Sequence, residues 1–245
     1  MKVLVIPDVH LKPWMFPAAG EALRETGADR AVCLMDLADD WGCTWNLPLY
    51  EETYKAAADF ARSFPETLWC IGNHDISYVW NRRESGYSPA AAKIVIDGME
   101  ALRKALPDPG AMAFIHRIDS CLFMHGGLAM SFVYRWLPKE NWDNAEAAVQ
   151  VVNGLGAEAL WQDESPIWLR PQFDRYSMFG AGVYLQVVGH TPMPRITREK
   201  NVLSCDVFST MRDGSAMGPG ADCFALVDTV DCTYGQVRAH MRRKV

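Results

Sequence analysis

Trp69–Asp75 reads Trp-Cys-Ile-Gly-Asn-His-Asp, an apolar run stopped by a glycine and followed at once by an amide, an imidazole and a carboxylate. An apolar run bounded by glycine has the composition of a buried strand, and strand exits are where α/β sheets place their chemistry. The pattern recurs at four further apolar runs. Asp8 and His10 follow Lys2 to Ile6, Asp36 follows Ala31 to Met35, His125 follows Cys121 to Met124, and His190 follows Val183 to Val188. Exits that converge would bring these side chains into one cleft.

Oxygen donors mixed with imidazoles, with no thiolate among them, suit manganese, iron, zinc, cobalt or nickel rather than a zinc–thiolate site or a calcium cage. The donor count is informative as well. One divalent ion needs four to six donors, and six residues stand at the exits: Asp8, His10, Asp36, Asn73, His125 and His190. Two ions about 3.5 to 4 Å apart, bridged by Asp36, use them economically. Such a pair acidifies a water into a hydroxide nucleophile and polarises a phosphoryl group. The leaving group then needs a proton. His74 is not required as a ligand and titrates in the range of a general acid, with Asp39, on the same turn as Asp36, as the carboxylate that orients it.

These residues need elements to hold them. Strands are expected at Lys2 to Ile6, Ala31 to Met35, Thr67 to Ile71, Ala113 to Ile118, Cys121 to Met124 and Val183 to Val188. Helices are expected at Pro17 to Thr26 with Gly27 beyond its end, Glu51 to Ser63, Ala90 to Ala105, and Asn141 to Leu160 with a break near Gly154 and Gly156. Trp41 to Leu49 reads as a loop and Ile76 to Pro89 as an irregular excursion. Val202 to Cys205, Cys223 to Val227 and Gln236 to His240 read as a closing run of antiparallel strands. The fold class is α/β.

With 49% apolar residues, the 245-residue chain can bury one substantial core, and no compositional shift marks a boundary, so residues 1–245 are expected to form one domain. A formal charge of -6 argues against bulk nucleic-acid binding. Seven cysteines without CxxC pairs suit a reducing compartment and small buried side chains. The Val3 to Ile6 run is too short for a signal-peptide core and no run is long enough to span a bilayer, which points to a cytoplasmic protein without membrane partners.

Taken together, Asp8-Val9-His10, Asp36-Leu37-Ala38-Asp39, Gly72-Asn73-His74-Asp75, His125-Gly126-Gly127-Leu128 and Gly189-His190-Thr191 resemble the ordered signatures of the calcineurin-like metallophosphoesterase superfamily. The His-Gly-Gly-Leu element, and Gly-His-Thr-Pro without a histidine two residues on, resemble the phosphoprotein phosphatase and diadenosine tetraphosphate hydrolase branch. The resemblance implies a four-layer αββα sandwich of two mixed β-sheets flanked by helices. It implies one metal on Asp8, His10 and Asp36 and a second on Asp36, Asn73, His125 and His190, with manganese the leading identity. It also implies His74 as acid, Asp39 as its partner, and Arg170 of Trp168-Leu169-Arg170 as a phosphate contact, with Asn73 also facing substrate.

Two positions depart from the branch pattern. Met35 stands where glycine usually precedes the bridging Asp, and Asp40 where an arginine usually follows the orienting one; Arg82, Arg83 or Arg175 are alternative sources of the missing cation. Asp75 is either a turn residue or a support for the site. Trp14, Phe16, Trp41 and Trp45 either wall the cleft or pack long loops on the sheet edge. His116 and His240 read as ordinary histidines. The expected reaction is metal-dependent hydrolysis of a phosphomonoester on a small molecule, nucleotide or phosphoprotein. A symmetric dinucleoside polyphosphate hydrolase is the alternative, ahead of a phosphodiesterase or nuclease and an inactive metal-containing scaffold.

Overall fold

The structure is a computed structural model and describes residues 1–173 and 175–240. Strand β1 (Lys2–Ile6) is β-branched and buried from Val3 onward, as a central strand covered on both faces must be. Helix α1 (Met15–Thr26) packs back on it and ends at Gly27, whose φ of 61° lets its N–H reach the Leu23 carbonyl. Strand β2 (Arg30–Cys33) runs parallel to β1, and β3 (Leu68–Cys70) parallel to β2. Between them lies α2 (Leu47–Ser63), which starts four residues before the expected Glu51 because Pro48 takes its first turn, where a missing N–H costs nothing.

The segment after β3 is not irregular throughout. Helix α3 (Asn73–Val79) begins on the polar motif itself, with Gly72 as an extended cap and Asp75 in the first turn, where a carboxylate favours the positive end of the helix. Helix α4 (Ala92–Ala105) follows and packs on α2.

The expected strand Ala113 to Ile118 is split between sheets. Strand β4 (Met112–Ala113) pairs with β3, the chain turns at Phe114, and β5 (Ile115–Ile118) pairs with β6 (Cys121–Met124) in a second sheet. A short helix, α5 (Met130–Trp136), comes next, then α6 (Ala145–Gly154) against β5, and α7 (Ala157–Leu160). Strand β7 (Leu185–Val188) is parallel to β6, β8 (Thr197–Glu199) forms the edge, and β9 (Val202–Ser204) lies between β8 and β7. Finally β10 (Cys223–Asp228) and β11 (Thr233–Arg238) return to the first sheet beside β1.

One sheet therefore has the order β11-β10-β1-β2-β3-β4 and the other β5-β6-β7-β9-β8, both mixed. The expected closing antiparallel run is corrected here: β9 is parallel to β7 in the second sheet, while only β10 and β11 close the first. The two sheets face each other across a continuous apolar core with helices outside, and the His116 ring of β5 reaches the Trp69 carbonyl of β3. Among the described residues no helix is long and apolar enough to cross a membrane.

Candidate metal centre

Asn73 and His74 are delivered by the first turn of α3, and the other motif residues by loops that extend the pairing of the strands before them. After β1 and β2 end, Val9, His10 and Leu11 still donate their N–H groups to the carbonyls of Met35, Asp36 and Leu37, which locks the Asp8-Val9-His10 turn to the Asp36 turn. Gly189 donates to the His125 carbonyl in the same way and fastens the β7 exit to the β6 exit. These turns carry unusual backbone: His10, Leu11, Met35, Asp36, Asp39 and His190 all have positive φ. Such conformations persist only where the surroundings over-determine them, and they gather at functional sites. Met35, in place of the expected glycine, adopts φ 57° and is fully buried in the core.

Two glycines allow the close approach. A Cβ on Gly72 would collide with Asp36 Oδ1, and one on Gly189 with Asp8 Oδ1. Gly189→Ala is therefore expected to cost roughly 1–3 kcal/mol through overpacking. It should lower Tm by several degrees and weaken divalent-ion binding, as checked by thermal unfolding with and without Mn(II).

The side chains of the strand exits meet. Ligand atoms of Asp8, His10 and Asp36 lie within 4.8 Å of one another, and so do those of Asp36, His125 and His190. Asp36 belongs to both groups: Oδ1 accepts from the His74 N–H (2.9 Å), and Oδ2 lies 3.0 Å from His125 Nε2 and 3.9 Å from His10 Nε2. Asn73 Oδ1 is 2.9 Å from His125 Nε2, and His190 Nδ1 is 3.2 Å from it. Asp8 Oδ2 accepts from the His190 N–H at 2.7 Å.

His74 stands beside this cluster. Its Nδ1 is 3.0 Å from Asp39 Oδ2, and Asp39 Oδ1 accepts from the hydroxyls of Tyr50 (2.7 Å) and Tyr78 (2.6 Å). Burial would lower the His74 pKa, but Asp36, Asp39 and Glu84 outweigh it and raise it to about 10. Burial likewise opposes a rise at His125, where Asp36 and Asp8 prevail and the pKa reaches about 9. Asp8 is pushed well up, chiefly by burial and then by Asp206. Burial pushes His10 and His190 down, the neutral form a ligand needs.

Several contributors were not read from the sequence. Asp206, buried after β9, obeys the same strand-then-carboxylate rule as Asp8 and Asp36, and that rule would have found it. Glu84 had no such signal; it lies in the aperiodic segment between α3 and α4, yet accepts from Asn73 Nδ2 at 2.8 Å. Asp75 supports the site: it accepts from the N–H groups of Leu37 and Ala38 and from the Tyr54 hydroxyl, fixing the loop that carries Asp36 and Asp39.

A cleft of about 350 Å³ opens over the cluster, lined by His10, Asp36, His74, Arg170, His190 and Trp41 among others. Arg170 donates to the His190 carbonyl (2.5 Å) and reaches into this cleft. Asp40 also lines it, but its charge is matched by Lys12 (2.9 Å), which donates as well to the His10 carbonyl. Arg82, Arg83 and Arg175 do not line it, so the expectation that one of them supplies the missing cation is not met. Of the four aromatics, Trp41 walls the cleft with Arg212 over its ring at 4.9 Å. Trp14 packs on Phe208, Phe16 is core against Phe60 and Trp69, and Trp45 is 82% exposed away from the cleft. His116 is a buried strand histidine, and His240 lies at the surface near Glu25.

The sequence model of the calcineurin-like phosphoesterase family matches residues 1–215. The chain belongs to the calcineurin-like phosphoesterases. Its fold is shared with the cold-active protein-tyrosine phosphatase of a psychrophile Shewanella species, at 17% identity over 97% of this chain and 80% of that one, with a TM-score of 0.54. A metallophosphoesterase from Sphaerobacter thermophilus aligns at 18% identity over 98% and 89% of the two chains, with a TM-score of 0.47. No curated protein matches the sequence at a significant level.

Calcineurin-like phosphoesterases are binuclear metal-dependent hydrolases, and the side chains here fit that requirement. His10 Nδ1 donates to the Asp39 carbonyl (2.8 Å) and His125 Nδ1 to the Leu34 carbonyl (2.9 Å). Each ring then turns Nε2 into the cluster, where its deprotonated form offers a lone pair. His125 Nε2 faces Asn73 Oδ1, Asp36 Oδ2 and His190 Nδ1, a convergence of acceptors whose charge is balanced by a proton on His125 or by a cation that replaces it. Among the described residues, buried Asp8 Oδ1 has no hydrogen-bond partner.

Proposed function

We propose that this chain is one hydrolytic domain, residues 1–245, that cleaves phosphomonoesters with two divalent ions, manganese foremost. Asp8, His10 and Asp36 would hold one ion and Asp36, Asn73, His125 and His190 the other. The observation that carries the reading is the convergence of Asn73, Asp36 and His190 on His125 Nε2, with Asp36 a carboxylate common to both donor groups. When bound, the ions supply Lewis acidity to the phosphoryl oxygens and lower the pKa of a water.

The chain's own groups do the rest. His74, with Nδ1 tied to Asp39, keeps Nε2 available to hand a proton to the departing oxygen. Tyr50 and Tyr78 hold Asp39 by its other oxygen, so the carboxylate cannot swing away from the imidazole. Arg170 orients the phosphate and counters its charge, while Asn73, a neutral donor, avoids adding to the carboxylates already present. Arg170→Ala removes a charge-assisted contact of about 1.5–3 kcal/mol. It should raise KM and lower kcat/KM by roughly 10- to 150-fold in steady-state kinetics.

Symmetric cleavage of a dinucleoside polyphosphate is the second reading, favoured by Trp41, half-exposed in the cleft wall with the Arg212 cation over it, a surface on which a base can stack. The Mn(II)-loaded enzyme, assayed on phosphopeptides, mononucleotides, dinucleoside polyphosphates and bis-aryl phosphodiesters, separates the two. Highest kcat/KM on monoesters supports the first reading; highest kcat/KM on the dinucleotides replaces it with the second. The seven free thiols favour a cytoplasmic setting.

A further inference from the structure

Glu84 sits where two parts of the site touch. Oε2 accepts from Asn73 Nδ2 at 2.8 Å, and Oε1 lies 3.2 Å from His74 Nδ1, so one carboxylate spans both residues. Its side chain is only 6% exposed, and among the described residues Oε1 has no hydrogen-bond partner, the single N–H of His74 Nδ1 being directed to Asp39. The carboxylate is fixed in place by its segment. Arg82 donates its N–H to the Ser77 carbonyl, Tyr87 stacks on Tyr78 at 4.2 Å, and Ser88 donates to the Tyr78 hydroxyl and the Thr44 carbonyl. Gly86, at φ 92°, turns this segment over Asp39 and His74.

An asparagine amide has two ends of opposite character: the oxygen offers lone pairs, the nitrogen only N–H. A carboxylate can only accept, so the amide nitrogen must turn toward Glu84. The oxygen is thereby turned toward His125 Nε2, the direction in which Asn73 can serve as a ligand. Rotated by half a turn, the same residue would present N–H groups to the cluster and could not bind a cation. Among the described residues Glu84 is the one acceptor for Asn73 Nδ2.

We infer that Glu84 is a positioning residue that orients the Asn73 amide for metal coordination and, through its second oxygen, places a negative charge beside the His74 ring. The inference rests on the two-ion reading above and adds to it the device that makes Asn73 a ligand.

The test uses full-length wild type, Glu84→Ala and Glu84→Gln, each titrated with Mn(II) by calorimetry after EDTA treatment and followed by steady-state kinetics on p-nitrophenyl phosphate. Loss of a group that orients a metal ligand typically costs 10- to 100-fold in metal affinity, so Glu84→Ala should weaken the binding of one ion by roughly that factor. Glu84→Gln keeps an oxygen that accepts from Asn73 and should recover Mn(II) affinity to within about threefold. Its kcat should stay depressed, since the charge against His74 is gone.

Wild-type affinity in Glu84→Ala overturns the inference while leaving the two-ion reading intact. Equal weakening in both variants also overturns it, because charge or packing would then be at work rather than amide orientation. A wild type that takes up fewer than two ions contradicts the two-ion reading itself, and is distinguished by the first titration alone.

Discussion

Asp36→Asn is expected to strip the protein of tightly bound metal and to lower kcat/KM by about a thousandfold or more, the scale set by losing several kcal/mol of transition-state charge stabilisation. The residue is nearly inaccessible and stands in both donor groups, so no neighbouring side chain can take its place. Its two oxygens have separate partners: Oδ1 receives the His74 N–H, and Oδ2 faces His125. An asparagine can retain the first contact, which preserves the turn at Asn73 and His74, but it lacks the charge that two cations require. Asp36 is held below the usual carboxylate range; burial alone would raise it, and the nearby His125 and His74 outweigh that cost. Metal content after dialysis, set beside turnover, checks the expectation. Retained metal and wild-type kcat/KM would show that Asp36 bridges nothing.

His74→Asn should separate chemistry from metal binding. The ring lies against Asp39 and Glu84 rather than among the paired donor groups, so both ions should still bind. On the proposed role, what disappears is the proton for the leaving group, and general-acid contributions run at about 10²–10⁴-fold. The loss depends on the leaving group. Phenyl phosphate, whose phenolate leaves reluctantly, should suffer the larger fall, and p-nitrophenyl phosphate, whose anion leaves readily, the smaller. Equal losses on both substrates would place His74 in substrate binding, and unchanged turnover would remove it from the reaction.

The site was legible because its residues stand at the ends of buried strands, where a run such as Val3 to Ile6 gives way abruptly to Asp8. Central strands covered on both faces read as unbroken apolar runs, so their exits are visible without knowledge of the sheet order. What stayed hidden depends on non-local pairing. Nothing local distinguishes β9, parallel to β7, from β10, antiparallel to β1, or reveals that Phe114 marks a change of sheet. Helix α3 was concealed because its first turn is the polar motif, and Glu84 because its partners arrive through a loop without period. Asp40 shows the converse. Its departure from the family pattern was plain in the sequence, but its neutralisation by Lys12 was not.

The central claim is that the buried donors hold two ions and that hydrolysis depends on both. Mn(II) titration of the EDTA-treated protein, with p-nitrophenyl phosphate turnover followed at each addition, tests it directly. The account predicts saturation at two ions per chain, with activity absent before metal is added and rising as the second ion binds. Turnover that survives EDTA, or saturation at one ion with full activity, would contradict it.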